Sequence, residues 1–333
     1  MTELIRRVWM QHALLGLAVL VTAASGPTGL VQGALAQDKF PARQIEMMVP
    51  WGPGGGADVL GRTIARWLEA DLKVNVPVLN NAGAMGSIGL ARMVATGADG
   101  HAIGVMTADT WMMLATTPGA QLKTQDVVPL GVLVRQPSGI FVKTDSRFKS
   151  WQDVIDEARA RPGAVSIAIT GAGSPDEVAV NYLAKRSVNL LSAGFNRPGE
   201  RFASVLGGHV DLLYEQAGDI KGQLDGKALR PILFFANQRL PAPFAGVGVS
   251  KEFGYDILLP QFRAIVAKAG VDPKRLEVLA ASIRKFSQSP EYANYLRDQL
   301  ALSDSYIGMA ESIPFMQTEA EVMRALAGPS SGK

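Results

Sequence analysis

The stretch Ile45-Glu46-Met47-Met48-Val49-Pro50-Trp51-Gly52-Pro53-Gly54-Gly55-Gly56-Ala57-Asp58 decides the fold. Residues 45–51 form a short apolar run with the length of a buried strand, and the glycines end it. Across 57–72, apolar residues recur at Leu60, Ile64, Ala65 and Leu68, the spacing of one helix face. Working outward, 74–79 reads as a strand, 88–96 as a helix and 102–106 as a third strand. This βαβαβ alternation predicts a parallel sheet with right-handed crossovers. The pattern restarts with strands at 140–142, 166–169, 189–195, 210–215 and 229–235, separated by helices at 151–161, 177–185, 202–206 and 218–224. The tail reads as helices at 273–288, 290–300 and 311–327, with breaks at Ser289-Pro290 and Ser312-Ile313-Pro314. The expected architecture is α/β: two doubly wound α/β lobes joined by crossing strands, a cleft between them, and the tail packed on the first lobe.

The 333 residues carry 33 Lys and Arg against 30 Asp and Glu, three histidines and no cysteine. Without cysteine there is no disulfide, thiolate-zinc site, iron–sulfur cluster, cysteine nucleophile or lipidated N-terminal Cys. A net charge of +3, with no Lys/Arg run longer than two, gives no basis for nucleic-acid binding. His12, His101 and His209 stand singly, so a histidine metal site or triad is not expected. Neither is a cofactor, and no Ser/His/Asp set argues for an enzyme. Binding by backbone and neutral polar groups is the favoured chemistry.

At the N-terminus, Arg6-Arg7 precede an uncharged, mostly apolar stretch at 13–24 and a small-residue region ending Gly33-Ala34-Leu35-Ala36. This order predicts an export signal at 1–36, cut after Ala36. A membrane span needs about 20 apolar residues, more than this run offers. The mature chain is expected to be soluble and extracytoplasmic, with Sec and twin-arginine export both open.

Three glycine-bearing loops each lead from a strand into a helix, where doubly wound sheets bind ligands. In the first, 51–58, glycines let backbone amides approach a ligand, and the helix N-terminus carries about half a positive charge. That makes an anion site. Gly52-x-Gly54-x-x-Ala57 also fits the dinucleotide fingerprint, but the second strand ends Val78-Leu79-Asn80-Asn81 with no acid for the ribose. The second loop, Asn80-Asn81-Ala82-Gly83-Ala84-Met85-Gly86-Ser87, reads equally as a ligand loop or an Asn-rich turn. In the third, Thr170-Gly171-Ala172-Gly173-Ser174-Pro175-Asp176-Glu177, Ser174 and Glu177 form a capping box that uses donors a ligand would want. In a two-lobed chain the first and third loops face one cleft, and two helix N-termini converge there.

Pro50-Trp51-x-Pro53-Gly54-Gly55-x-x-Asp58-x-x-x-Arg62 resembles the opening motif of the tripartite tricarboxylate transporter substrate-binding proteins, the Bug family. Asn80-x-x-Gly83-Ala84-x-Gly86-x-x-Gly89, Asp99-Gly100-His101, Gly171-x-Gly173-Ser174, Leu206-Gly207-Gly208-His209-Val210-Asp211, Gly226-Lys227-x-Leu229-Arg230-Pro231 and Arg239-Leu240-Pro241 follow in the family's order. The resemblance implies a periplasmic, type II periplasmic-binding-protein-like receptor, with lobe 1 at 37–138 plus 260–333 and lobe 2 at 139–259. It implies a small organic carboxylate as ligand and a membrane permease of one large and one small subunit as partner. No nucleic acid partner and a monomeric state are expected. Carried over, the ligand is held by backbone at Gly54, Gly55, Gly56, Ala57 and Asp58 and at Gly171, Gly173 and Ser174. Trp51, Pro53, Ala84, Met85, Thr107, Asp109, Thr170, Asn196, Arg197 and Glu215 complete the expected site, and Gly55→Val is expected to block the backbone approach.

Two departures bear on the ligand. Arg197 stands in the loop after 189–195 as a counter-charge or a solvated residue. Asp176-Glu177 put two acids in the first turn of an anion-binding helix, which admits a ligand with a cationic or neutral polar group. A ligand-presenting component of a sensor system and, behind it, an exported hydrolase are the alternative functions.

Overall fold

The structure, a computed structural model, describes residues 39–117, 120–195 and 197–327. The expected export signal and Asn196 lie outside these residues. Within Lys39–Lys333 the described chain forms one compact unit.

The first half begins with β1 (Glu46–Val49), α1 (Gly56–Leu72), β2 (Val78–Asn80), α2 (Ser87–Ala95), β3 (Ala102–Thr107) and α3 (Ala108–Thr116). Strand β1 pairs in parallel with both β2 and β3. It is apolar because both faces are covered: Met47 and Val49 pack with Leu60, Ile64 and Leu68 of α1, and Met48 packs with Leu90 and Met93 of α2. Pro77, with no N–H to give, confines β2 to three residues, shorter than the run at 74–79 suggests.

Strand β4 (Val127–Lys143) then runs the length of the molecule. It leads into α4 (Trp151–Ala160), β5 (Val165–Ile169), α5 (Pro175–Ala184), β6 (Leu190–Gly194), α6 (Pro198–Leu206), β7 (Leu212–Gln216), α7 (Lys221–Asp225) and β8 (Leu229–Phe234). The chain returns through β9 (Pro260–Lys268) and ends in α8 (Pro273–Ser287), α9 (Pro290–Asp298), β10 (Ile307–Gly308) and α10 (Met309–Ala327). Proline opens α5, α6, α8 and α9, and Ser174, Asp272 and Ser289 cap three of them.

The strand order is β2-β1-β3-β9-β4-β7-β5-β6, with β8 and β10 also on β4. Each half is a parallel trio, 2-1-3 and 6-5-7, and β4 and β9 cross between them antiparallel. The mixed α/β class is the one the alternation predicts. The expected short strand 140–142 is corrected to a 17-residue strand, because Pro129, Gly131 and Pro137 hide the strand signal of its first part. Val127–Pro137 pairs with β9, and Ser138–Lys143 pairs with β7 and β8. At the handover Pro137 faces Pro260, so this rung has no N–H on either side.

Helices α8 and α9 pack with α1 around Phe286, and Trp67 Nε1 donates to the Ser282 carbonyl at 2.9 Å. Helix α10 lies against both α3 and α5 and so bridges the halves, where packing on the first alone is the sequence expectation. Pro314 lies inside α10 and does not break it. Its missing N–H comes one turn in and removes a single rung, while Trp111 Nε1 donates to the Met316 carbonyl at 2.7 Å and holds the helix down. Among the described residues no helix is long and apolar enough to cross a membrane.

Trp111→Phe is expected to lower the unfolding free energy by about 1–3 kcal/mol, through the lost hydrogen bond and the void left by the indole, in chemical denaturation.

Candidate ligand cavity between the two halves

The carboxyl ends of the parallel strands meet around a cavity of about 570 Å³, mouth included. After β1 come Trp51, Gly55, Gly56 and Ala57; β3 ends in Thr107, with Asp109 following on α3. From the other half come Thr170 and Asp176 after β5, Pro198, Arg201 and Phe202 on α6, Glu215 and Gln216 on β7, and Asp219 beyond it. Gln261 and Arg263 of β9 close the wall.

The first loop is held in shape from behind. Gly54 takes φ of +83°, a left-handed value suited to glycine, and its N–H donates to Asp58 Oδ2 at 3.0 Å. Arg62 Nε donates to the same oxygen at 3.0 Å, and Asn80 Nδ2 bridges Asp58 Oδ1 at 2.9 Å and the Trp51 carbonyl at 3.0 Å. Burial pushes the Asp58 carboxyl up, but these bonds from Arg62, Gly54 and Asn80 outweigh it and hold Asp58 below the usual range. Asp58 therefore braces the loop and lies outside the cavity wall. The result is a 17-residue helix whose N-cap is Gly55, with no side chain capping it. Its leading amides have no partner within the helix.

The second loop stays outside the lining. Ala84 and Met85 hold φ of 45° and 50°, and Thr110 Oγ1 donates to the Met85 carbonyl at 2.8 Å. The third loop spends its donors on its own acids. The Thr170 N–H donates to Asp176 Oδ2 at 2.7 Å, that of Gly173 to Glu177 Oε2 at 2.7 Å, and that of Glu177 to Ser174 Oγ at 3.2 Å. Asp176 points inward, buried, where the sequence reading leaves its direction open. Gly171, Gly173 and Ser174 are not part of the lining, nor are Pro53 and Gly54. Thus Trp51, Gly55, Gly56, Ala57, Thr107, Asp109, Thr170 and Glu215 come together. Arg197 is exposed, paired with Glu200 at 3.1 Å.

The arginine of this segment that lines the cavity is Arg201, one turn further on. It shares a helix face with Pro198, Phe202 and Val205, and an arginine on that stripe is the signal that points to it. Only 6% exposed, it donates from Nη1 to Thr170 Oγ1 at 2.6 Å and from Nη2 to Glu215, leaving Nε without a partner. Arg263 Nη2 meets Asp219 at 2.6 and 2.7 Å, and its Nη1 donates to Gln136 Oε1 at 3.2 Å. Burial, then the charge of Asp176, push Asp109 up to about 7, with Arg201 opposing and Glu215 adding. Burial likewise lifts Glu215 to about 7, with Arg201 opposing and Asp219 adding. Asp176 is raised, chiefly by burial.

The close approach in the first loop falls at Gly56. A Cβ there would intrude on the Asp219 carboxylate and the Arg263 guanidinium, whose ion pair leaves neither free to move. A Cβ at Gly55 would meet only Pro198 at 3.9 Å, and its φ of −83° suits any residue. The emphasis the sequence places on Gly55 therefore moves to Gly56.

Two α/β halves joined by crossing strands, with a cavity walled by strand ends and helix N-termini, define a solute-binding receptor. Residues 60–324 match the tripartite tricarboxylate transporter family receptor, and the chain belongs to that family. BugT of Bordetella pertussis is 28% identical over 269 residues, 79% of this chain and 82% of BugT. MatC from Rhodopseudomonas palustris, solved with bound malate, shares the fold with a TM-score of 0.76 at 18% identity, over 87% of this chain and 100% of that one. R. palustris Rpa4515, solved with adipate, gives a TM-score of 0.78 at 20% identity over 87% and 98%.

Gly56→Ala is expected to weaken ligand binding by about tenfold or more while Gly55→Ala stays near wild type, read by calorimetric titration. The raised acids set a second expectation. Unfolded carboxyls titrate at about 4, so between pH 4 and 7 the folded state holds protons the unfolded chain has released, and stability falls as pH rises. Acids held low, such as Asp58, act only below that window. The melting temperature of ligand-free protein is expected to drop from pH 5 to 7.5, with a shallower slope in Asp109→Asn.

Proposed function

We propose that the chain captures a small organic carboxylate in this cavity and hands it, outside the cytoplasm, to a membrane permease of one large and one small subunit. The observation that carries this reading is the uncapped N-terminus of α1, whose Gly55, Gly56 and Ala57 line the cavity. Free amides and the positive end of a long helix favour an anion. The buried indole N–H of Trp51 and the free Nε of Arg201 are further donors without partners. The malate and adipate held by MatC and Rpa4515 support the same class of ligand. In this reading 37–138 with 260–333 and 139–259 act as the two lobes that close over it, and export removes 1–36.

The energetics suffice without catalyst or metal. A helix terminus contributes about 0.3–2 kcal/mol to an anion, and each hydrogen bond to a charged group about 1.5–3 kcal/mol. Three or four such contacts with some apolar burial reach the roughly 8 kcal/mol of micromolar affinity.

A cognate carboxylate at a hundred times its Kd is expected to add about 2.7 kcal/mol to the stability of the mature protein, seen as a rise in melting temperature across an aliphatic and aromatic carboxylate panel. Shifts from nucleotides or simple amines alone sink the reading.

A further inference from the structure

Four carboxyls and two guanidiniums line the cavity: Asp109, Asp176, Glu215 and Asp219 against Arg201 and Arg263. Three of the acids are matched. Glu215 is bonded to Arg201, Asp219 to Arg263, and Asp176 to the amide of Thr170. Asp109 has no cation of its own, and its Oδ1 is buried without a hydrogen-bond partner. Such an atom costs folding free energy unless something bound to the cavity meets it. The opposite polarity is also present, at the N-terminus of α1, which no side chain caps, and at Arg201 Nε.

We propose that the ligand is an amino-carboxylate: its carboxylate meets the amides of α1 and a protonated amine meets Asp109. The inference rests on the cavity being a carboxylate site and adds the second charge. A plain dicarboxylate would bring two negative charges into a wall that already has more acids than arginines. An ammonium instead offsets the charge of the ligand's own carboxylate and supplies the donor that Asp109 lacks. The position of Asp109 suits this role. It stands in the first turn of α3, whose helix end favours a carboxylate there, and Thr107 Oγ1 caps the same turn. The charged groups facing it are Asp176 from α5, Arg201 from α6 and Glu215 from β7, with Asp219 and Arg263 further along the wall. Burial and the neighbouring Asp176 raise Asp109 to about 7, so an ammonium arriving there displaces a proton and binds better as pH rises.

The test is calorimetric titration of mature protein with succinate and L-aspartate, glutarate and L-glutamate, and butyrate and 4-aminobutyrate, with butylamine as the amine lacking a carboxylate. The expected result is that the aminated member of a pair binds about tenfold or more tightly, and more tightly at pH 8 than at pH 6. Asp109→Asn, folded by circular dichroism, is expected to erase that preference, bringing the two members of each pair within about threefold of each other. Equal or tighter binding of the unaminated acids, or an equal loss for both members in Asp109→Asn, overturns the inference and leaves the carboxylate reading standing. Butylamine binding as tightly as 4-aminobutyrate overturns the carboxylate reading itself. Binding by none of the seven counts against both.

Discussion

The acid-lined floor of the cavity depends on one buried guanidinium. Arg201 reaches from α6 to Thr170 at the end of β5 and Glu215 at the end of β7, two strands that are already neighbours in the sheet. Without its charge, Asp109, Asp176 and Glu215 would face one another in a medium that screens poorly. A lysine is no substitute, because the fork of the guanidinium bonds to two strand ends at once. Removing one partner of such a pair leaves a buried charge uncompensated, which is where these arrangements are most costly. The helix that carries the arginine is thereby fixed across the mouth of the strands, and Pro198 comes to rest beside Gly55.

Helix ends divide the cavity into regions of opposite character. All three helices α1, α3 and α5 carry an acid in the first turn, but Asp109 and Asp176 line the cavity, whereas Asp58 of α1 is turned back onto Gly54, Arg62 and Asn80 and leaves that helix end without a side-chain cap. The glycine run that opens α1 is shaped from behind by Asp58, Arg62 and Asn80, none of which lines the cavity. The side chains that shape the loop thus stay out of the cavity, which Gly55, Gly56 and Ala57 line.

Much of this was legible in the sequence. The apolar run around Met47 and the periodic face Leu60, Ile64, Leu68 gave the strand–loop–helix unit, and its repetition gave the class of fold. The capping of α5 by Ser174 was also readable, though Glu177 reaches Gly173 and not the cap itself. What escaped is what only the folded chain brings together. The first part of β4 was hidden by prolines whose missing N–H groups a long crossing strand tolerates. Arg201, Asp219 and Arg263 come from three separate elements, and no local pattern joins them. Arg197 sat in the more conspicuous loop, but it is the extended residue before α6 and pairs with Glu200 in solvent, while Arg201, inside the helix, is buried.

The facing prolines at the handover bear on what parting the two strands would cost. Spreading two strands ordinarily strands amide donors in whatever environment the gap provides. Pro137 and Pro260 have none to lose, so a swing of one half against the other at that rung leaves no bare N–H behind. The next residue back, Gln136, holds Arg263, which holds Asp219 in the cavity wall. The handover and the cavity wall are therefore joined by one run of hydrogen bonds, from Gln136 through Arg263 to Asp219, that begins one residue from the proline pair.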